Sequence, residues 1–536
     1  MDPVALDTSA LQMVDQVLDL AAQENGEIEA FVEPATPGSS RQAITFRHWK
    51  ERADGLAAVL RSRGVKRHDV VSLIMGPSID YAVAYQAVMR CGAVTSGINP
   101  RLSSAEQQSI LDRMMPVVTI VEDGLSDSLP SSAGMIMTRS EVVAVPPASF
   151  APDPERTADD LVAVVWTSGT TGLPKGALFD HRALAAVAAG TDLLSHVGDR
   201  KLSPLPFAHV GYMTRPWDEI ANGITTIITP SPWSATSALA TILNERVTLA
   251  QGVPTQWALI LELPPVTQED VASLRLVSTG AARMAPSQVA ALRERFFAPV
   301  VVRYTSTETS LGCGTRLDDE DDAIATTVGR PVTGVEMVLV DLDGQHVAQG
   351  EVGRVRLRSG AVMRGYVAPR LSGQALCVDE ELTKSVRSSD GWITTGDFGV
   401  VNEDGNLSLV GRDNEMYQRG GYNVYPAEVE QALDGAPGVA SVAIVAGADE
   451  ILGEVGVAFV VVTPGSEAPT RDSLKAFLRE RVADYKLPDI VVAKEALPVT
   501  AMGKVDKKAL KDEAMHVAAH RSAAVAKERK ERREQS

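Results

Sequence analysis

The sequence predicts an α/β protein, with a large N-terminal domain of mostly parallel β-sheets under covering helices, a β-rich portion, and a small C-terminal α+β domain. Three observations predict it. Short apolar runs alternate with segments of helical period through the first 300 or so residues, strand-rich sequence with turn signals follows from about Val335, and a fresh pattern of helix and strand begins after Gly411. A chain of 536 residues is also longer than one hydrophobic core usually serves.

Thr45 is placed to cap a helix whose Trp49, Ala53, Leu56, Ala57 and Leu60 share one face, and Gly64 ends it. Val70 to Met75 reads as a strand, Ile79 to Met89 as a helix, Val117 to Val121 as a strand, and the apolar run Leu161 to Val165 as a buried strand. Strand pattern recurs through Ala221 to Ile228 and Thr248 to Gln251, with a helix over Ser287 to Phe297. Val335 to Val340 and Gly353 to Arg358 are strands separated by the turn pair Asp343-Gly344. This defines a first domain over residues 1–411.

In a second domain over 412–515, Pro426 opens a helix with Val429, Ala432 and Leu433 on one face. Strands over Val439 to Val445 and Val455 to Val462 come next, then a helix capped by Thr470 that aligns Leu474, Phe477, Leu478 and Val482. Residues 516–536 are dense in Lys, Arg and Glu with little to bury, so a frayed tail is expected.

A formal net charge of −18 opposes general nucleic-acid binding, which needs a basic face, and points to small molecules or proteins as partners. Cys91, Cys313 and Cys377 share no short spacing, which fits neither a disulfide framework nor a CxxC metal site, so a reducing cytoplasm is expected. The N-terminus is acidic and no apolar run approaches ~18 residues, so neither a signal peptide nor a membrane span is expected.

The most informative stretch is WTSGTTGLPKG, Trp166 to Gly176, directly behind the run at Leu161 to Val165. A loop of Gly and hydroxyl residues turns N–H and O–H donors toward phosphate oxygens, and Lys175 adds a positive point charge. A Walker A loop needs Gly directly before the Lys and a hydroxyl after it; Pro174 and Gly176 stand there instead, and the dinucleotide G-x-G-x-x-G is likewise absent from the stretch. The alternative, an ordinary Ser/Thr/Gly surface turn, accounts poorly for ten specified positions behind a strand.

TSGTTGLPKG resembles the phosphate-loop signature of the adenylate-forming superfamily, which comprises acyl- and aryl-CoA ligases, peptide-synthetase adenylation domains and beetle-type luciferases. Further motifs resemble that family in order: RYTSTETS (Arg303 to Ser310), WITTGD (Trp392 to Asp397), GRDNEMYQRGGYNVYPAEVE, and PVTAMGKVDK, which contains Lys504. The resemblance runs from about Thr45 to Leu510.

It implies an AMP-forming acyl-CoA ligase that uses ATP, Mg2+ and coenzyme A to activate a carboxylic acid as an acyl-adenylate. It further implies that Thr167, Ser168, Gly169, Thr170, Thr171, Gly172 and Lys175 hold the β- and γ-phosphates, Thr307 the α-phosphate and Glu308 the Mg2+. Tyr304 would stack on adenine beside a backbone wall at Gly280 and Ala281, and Asp397 with Arg412 would meet the ribose. His209 would lie beside the acyl carboxylate, and Lys504 would bridge that carboxylate and the α-phosphate. The small domain would swing about a hinge two residues past Arg412, exchanging Lys504 for the Gly420-Gly421 face, along which the pantetheine arm of CoA passes. A homodimer belongs to the same set of expectations.

The chain departs from the family pattern at Asn414 in the hinge, at Thr305 where glycine is usual, and at Thr279 within Ser278-Thr-Gly-Ala-Ala-Arg. Bulk beside the nucleotide would crowd ATP, so a weighting toward the thioester-forming half-reaction is one expectation. Phe207-Ala208-His209 carries no acid to grip an α-ammonium, and Tyr212, Met213, Trp217 and Leu311 to Gly314 are apolar candidates for the acyl pocket. A fatty, aryl or terpenoid-like acid fits these residues. Two alternatives stay open: an adenylating enzyme that passes its acyl group to a carrier protein or amine, and an inactive adenylate-binding protein.

Overall fold

The computed structural model describes the chain apart from residues 1, 127–128, 168–173, 281–283, 285, 371–373, 414, 450–451, 480, 501–504 and 535–536, and apart from the side chains of 423 and 522–534. Two compact units result, one of Met1–Val338 with Arg356–Thr395, the other of Leu339–Val355 with Gly396–Ser536.

The larger unit holds two sheets. In the first, of nine strands among the described residues, the central run Val300–Ser306, Leu276–Gly280, Leu249–Gly252, Arg200–Ser203, Thr225–Ile228 and Glu29–Glu33 is parallel. The antiparallel strand Gln42–Thr45 flanks one side and Ser310–Gly314 the other. The second sheet, of seven strands, has a parallel core of Leu161–Thr167, Val94–Gly97, Val70–Ile74, Val118–Val121 and Met135–Thr138, extended antiparallel by Lys175–Asp180 and Gly365–Tyr366. Its central strands are buried on both faces, as helix-covered parallel strands must be.

The helices obey the expected chemistry. Thr45 caps the helix Phe46–Ser62 by accepting from the His48 N–H, and Trp49, Ala53, Leu56, Ala57 and Leu60 are all buried. Each large side chain on that face contributes roughly 1.5–3 kcal/mol on leaving water. Ala221 to Ile228 does not run as one strand. Pro216 starts a helix that ends at Ala221, Gly223 (φ 57°) breaks it, and only Thr225–Ile228 is extended.

In the smaller unit the long hairpin of Val439–Asp449 and Gly453–Val462 gains Ile490–Lys494 in parallel. On one side pack the helices Pro426–Ala432 and Arg471–Leu478, with Leu474 and Leu478 in the core. On the other lies Lys507–Glu534, whose Leu510, Ala514 and Ala518 meet Val445, Val457 and Phe459. Where fraying from 516 is expected, the helix instead continues: Ala518 is buried and Arg521 pairs with Asp489 at 3.1 Å, because an alanine stripe lets the helix sit against the sheet.

Candidate active site

In the larger unit the strands Leu161–Thr167 and Lys175–Asp180 form an antiparallel pair in which Thr167 stands opposite Lys175, so the two ends of the phosphate-loop motif are side by side. Ser168, Gly169, Thr170, Thr171 and Gly172 lie outside the described residues. Gly176 is needed where it is: a Cβ there would stand 2.6 Å from Val164 Cγ1 and 2.8 Å from Val367 Cγ1. Its absence lets the short strand Gly365–Tyr366 pair alongside, which puts the Tyr366 ring 5.5 Å from the Lys175 Nζ.

Glu308 reaches the same tyrosine from the other sheet. The turn Thr307 to Thr309 joins Val300–Ser306 to Ser310–Gly314 and is braced by Ser306 Oγ and Thr309 Oγ1 at 2.9 Å. The Met363 N–H donates to the Glu308 carbonyl at 2.9 Å, and the Tyr366 hydroxyl donates to Glu308 Oε1 at 2.7 Å. Thr307 and Glu308 are half-buried. A carboxylate and a neighbouring hydroxyl supply hard oxygen donors, which is the donor chemistry Mg2+ takes. Burial and the neighbouring Glu308 raise the Tyr366 phenol far above its ordinary pKa, so it remains a donor throughout the physiological range.

Gly280 pairs with Arg303 across parallel strands, and a Cβ on it would come 2.7 Å from the Arg303 carbonyl oxygen; bare backbone is the only arrangement that fits. Ala281 lies outside the described residues. Tyr304, one residue past Arg303, is only 6% exposed. Of the departures from the family pattern, Thr279 is turned into the core at 2% exposure, so its bulk is not directed toward a ligand, whereas Thr305 is exposed. Asn414 lies outside the described residues.

His209 caps the helix Val210–Met213 and is half-buried. Its Nδ1 accepts from the Gly211 N–H at 3.3 Å, so the neutral ring carries its proton on Nε2 and presents a donor there. The residues expected beyond it as pocket lining are mostly core. Met213 is fully buried, Trp217 and Tyr212 are 6% and 7% exposed, and Tyr212 stacks on Phe207 with centroids 3.7 Å apart. The helical turn after His209 directs these side chains inward, where they join Phe31, Tyr81 and Tyr85. Cys313 is also interior, and burial pushes its thiol up to about 12.

The smaller unit carries the remaining candidates. The antiparallel register of Ile393–Val401 with Leu407–Arg412 sets Asp397 opposite Arg412, and Arg412 Nε donates to Asp397 Oδ1 at 2.9 Å. Asp397 is 4% exposed while the Arg412 side chain is 54% exposed. Gly420 (φ 57°) and Gly421 (φ 86°) make the two-residue turn between Tyr417–Arg419 and Tyr422–Val424, a conformation that needs positive φ at both positions. Lys504 lies outside the described residues. Three residues on, Lys507 meets Glu415 Oε2 at 2.7 Å and Glu430 Oε1 at 2.8 Å.

Tyr366, which touches both Lys175 and Glu308, is not singled out by the sequence. Its signal, a Gly-Tyr pair in RGYVA, is too short to mark a site. Only the pairing of its strand with Lys175–Asp180 reveals it.

A parallel-sheet domain that brings Lys175 and the carboxylate turn at Glu308 to one tyrosine, followed by a small α+β domain, defines a nucleotide-activating class of enzyme. The chain belongs to the AMP-binding enzyme family: the family model matches residues 18–367, and the AMP-binding enzyme C-terminal domain matches 428–504. It is similar to the 3-[(3aS,4S,7aS)-7a-methyl-1,5-dioxo-octahydro-1H-inden-4-yl]propanoyl:CoA ligase of Rhodococcus jostii (strain RHA1), at 30% identity over 92% of this chain and 98% of the relative. It is also similar to the indoleacetate–CoA ligase of Aromatoleum aromaticum (strain DSM 19018 / LMG 30748 / EbN1), at 32% identity over 84% of this chain and 89% of the relative. Among solved structures, ATP-bound MatB from Rhodopseudomonas palustris superposes with a TM-score of 0.84 at 25% identity, covering 94% of this chain and 99% of that one.

Proposed function

We propose that the chain joins a hydrophobic carboxylic acid, fatty, aryl or terpenoid-like, to the thiol of coenzyme A in the manner of an AMP-forming acid–thiol ligase. Carboxylic acid, ATP and CoA are its substrates. In the first half-reaction a carboxylate oxygen attacks the α-phosphorus of ATP and the bond to the β-phosphate oxygen breaks, releasing pyrophosphate. In the second, the thiol sulfur attacks the acyl carbon and loses its proton, and AMP leaves.

Both steps gather negative charge, so they call for cations and aimed donors more than for a nucleophilic side chain. In our reading Thr167 through Gly172 and Lys175 hold the β- and γ-phosphates, and Thr307 donates to the α-phosphate. Glu308 holds Mg2+, which supplies charge neutralisation on the phosphates when bound. Gly280, Ala281 and Tyr304 receive adenine, and Asp397 and Arg412 the ribose. His209 Nε2 donates to the acyl carboxylate, and Lys504 bridges it to the α-phosphate. Residues 1–411 and 412–515 are taken as the bodies that rotate about Asn414, with 516–536 following the second; Gly420 and Gly421 then line the path of the thiol arm. A cytoplasmic location and a homodimer belong to the same proposal. Among the described residues no helix is long and apolar enough to cross a membrane.

The observation that carries the reading is the meeting at Tyr366 of the phosphate-loop lysine and the carboxylate Glu308, brought there by two different sheets. A hydrophobic acid is supported by the absence of an acidic residue around His209 and by relatives whose names specify a fused bicyclic propanoyl group and indoleacetate. The test incubates the chain with ATP, Mg2+, CoA and a mixed panel of fatty, aryl and polycyclic acids, and reads new thioesters by mass. A thioester with stoichiometric AMP supports the reading. Release of ADP, or no product from any acid, contradicts it.

A further inference from the structure

We propose that Tyr366 is a positioning residue for nucleotide binding, orienting the Glu308 carboxylate toward Mg2+ through its hydroxyl while its ring face holds the Lys175 ammonium in place for the phosphates. This rests on the reading that Glu308 takes Mg2+ and Lys175 the β- and γ-phosphates.

The geometry is specific to one side chain. Tyr366 is 3% exposed, sits on a two-residue strand paired with Ala177, and has its amide tied to Thr383 Oγ1 at 2.9 Å, so the ring has little freedom. Its hydroxyl donates to one oxygen of Glu308, at 2.7 Å, and the carboxylate keeps acceptor capacity for a cation. A carboxylate held at one oxygen has less freedom to turn, so its orientation costs less entropy when the metal arrives. The Met363 N–H on the Glu308 carbonyl fixes the backbone from which that side chain extends. On the other side, the Lys175 Nζ lies 5.5 Å from the ring centroid, within the range at which an aromatic quadrupole attracts an ammonium. Lysine is otherwise a mobile point charge on a four-carbon stem. One buried phenol therefore serves both charges that a Mg2+–polyphosphate must meet.

The two halves separate by substitution, with ATP itself as the probe and no acid required. Wild-type protein, Tyr366→Phe, Tyr366→Leu and Glu308→Gln are titrated with ATP by calorimetry, in excess Mg2+ and again in EDTA. Melting temperature without nucleotide reads folding independently. Wild type is expected to bind ATP more tightly in Mg2+ than in EDTA, and Glu308→Gln to lose that gain. Tyr366→Phe keeps the ring and the wild-type affinity in EDTA but loses about tenfold of the Mg2+-dependent gain, the order of a hydrogen bond to a charged group. Tyr366→Leu loses the same gain and also binds about threefold more weakly in EDTA, the order of a cation–π contact.

A Tyr366→Phe protein with the full Mg2+ gain, beside a Glu308→Gln protein that lacks it, would overturn the role of Tyr366 and leave the metal reading standing. If Glu308→Gln keeps the gain, the metal reading itself fails and the proposal with it. Equal affinities of the Phe and Leu variants in EDTA would overturn the lysine half.

Discussion

Lys507 Nζ stands 2.7 Å from Glu415 Oε2, so the start of the helix Lys507–Glu534, three residues past Lys504 in the sequence, is clamped to the segment that follows Arg412. Burial works against the charge of Lys507, but Glu430 and Glu415 more than offset it and raise the pKa of the ammonium. Lys507→Met is expected to slow acid-dependent exchange of labelled pyrophosphate into ATP by tenfold to about a hundredfold, the penalty of a cation displaced by an ångström or so. Transfer from a preformed acyl-adenylate to CoA should hold its wild-type rate. Equal loss in both assays would mean that the clamp serves only stability.

Gly421 has open space where a Cβ would go and a φ of 86°. Gly421→Val is therefore expected to cost about 1–2 kcal/mol in backbone strain, seen as a lower melting temperature, and to raise the KM for CoA while pyrophosphate exchange persists. An unchanged KM for CoA would remove the turn from the path of the thiol arm.

Asp397 is buried and Arg412 half-exposed, so the ion pair between them is worth little by itself. Asp397→Ala is expected to weaken ATP binding by about tenfold, because two ribose hydroxyls lose a shared acceptor, and Arg412→Ala to weaken it much less. Matching losses, read by calorimetry, would instead assign the effect to the pair.

His181 is buried, and its Nδ1 accepts from the Val14 N–H at 3.2 Å. Burial lowers its pKa from 6.5 to about 4, with Asp15 pulling the other way. A depressed folded pKa means that the unfolded chain binds more protons between these values, so stability is full above pH 6.5 and falls as pH drops toward 4. The loss is on the order of 2–3 kcal/mol. His181→Gln keeps an acceptor for Val14 without titrating, and its melting temperature should fall less than that of wild type between pH 7 and pH 4.5, approximately the range in question. Parallel pH profiles would contradict this.

The helix Phe46–Ser62 and the strand Gly353–Arg358 were legible in the sequence because Trp49, Ala53, Leu56 and Leu60 recur at helical spacing and Val355 and Leu357 at strand spacing. The TSGTTGLPKG motif and the turn at Glu308 stood out because each is written in consecutive residues. Tyr366 was not, since a two-residue strand has no period and its value comes from partners far away in the chain. Tyr212 and Trp217 could not be sorted into pocket or core, because both environments select bulky apolar side chains; the turn after His209 sends them to the core. The helix past residue 516 was hidden by its charge, since Leu510, Ala514 and Ala518 form a stripe too slight to stand out.

The most direct measurement is acid-dependent exchange of labelled pyrophosphate into ATP, run with the acid that yields a thioester in the mixed panel, for wild type and Lys504→Ala. Wild type is expected to show robust exchange and Lys504→Ala none above background, while the same variant still converts synthetic acyl-adenylate and CoA to thioester. Exchange by Lys504→Ala at the wild-type rate would contradict this.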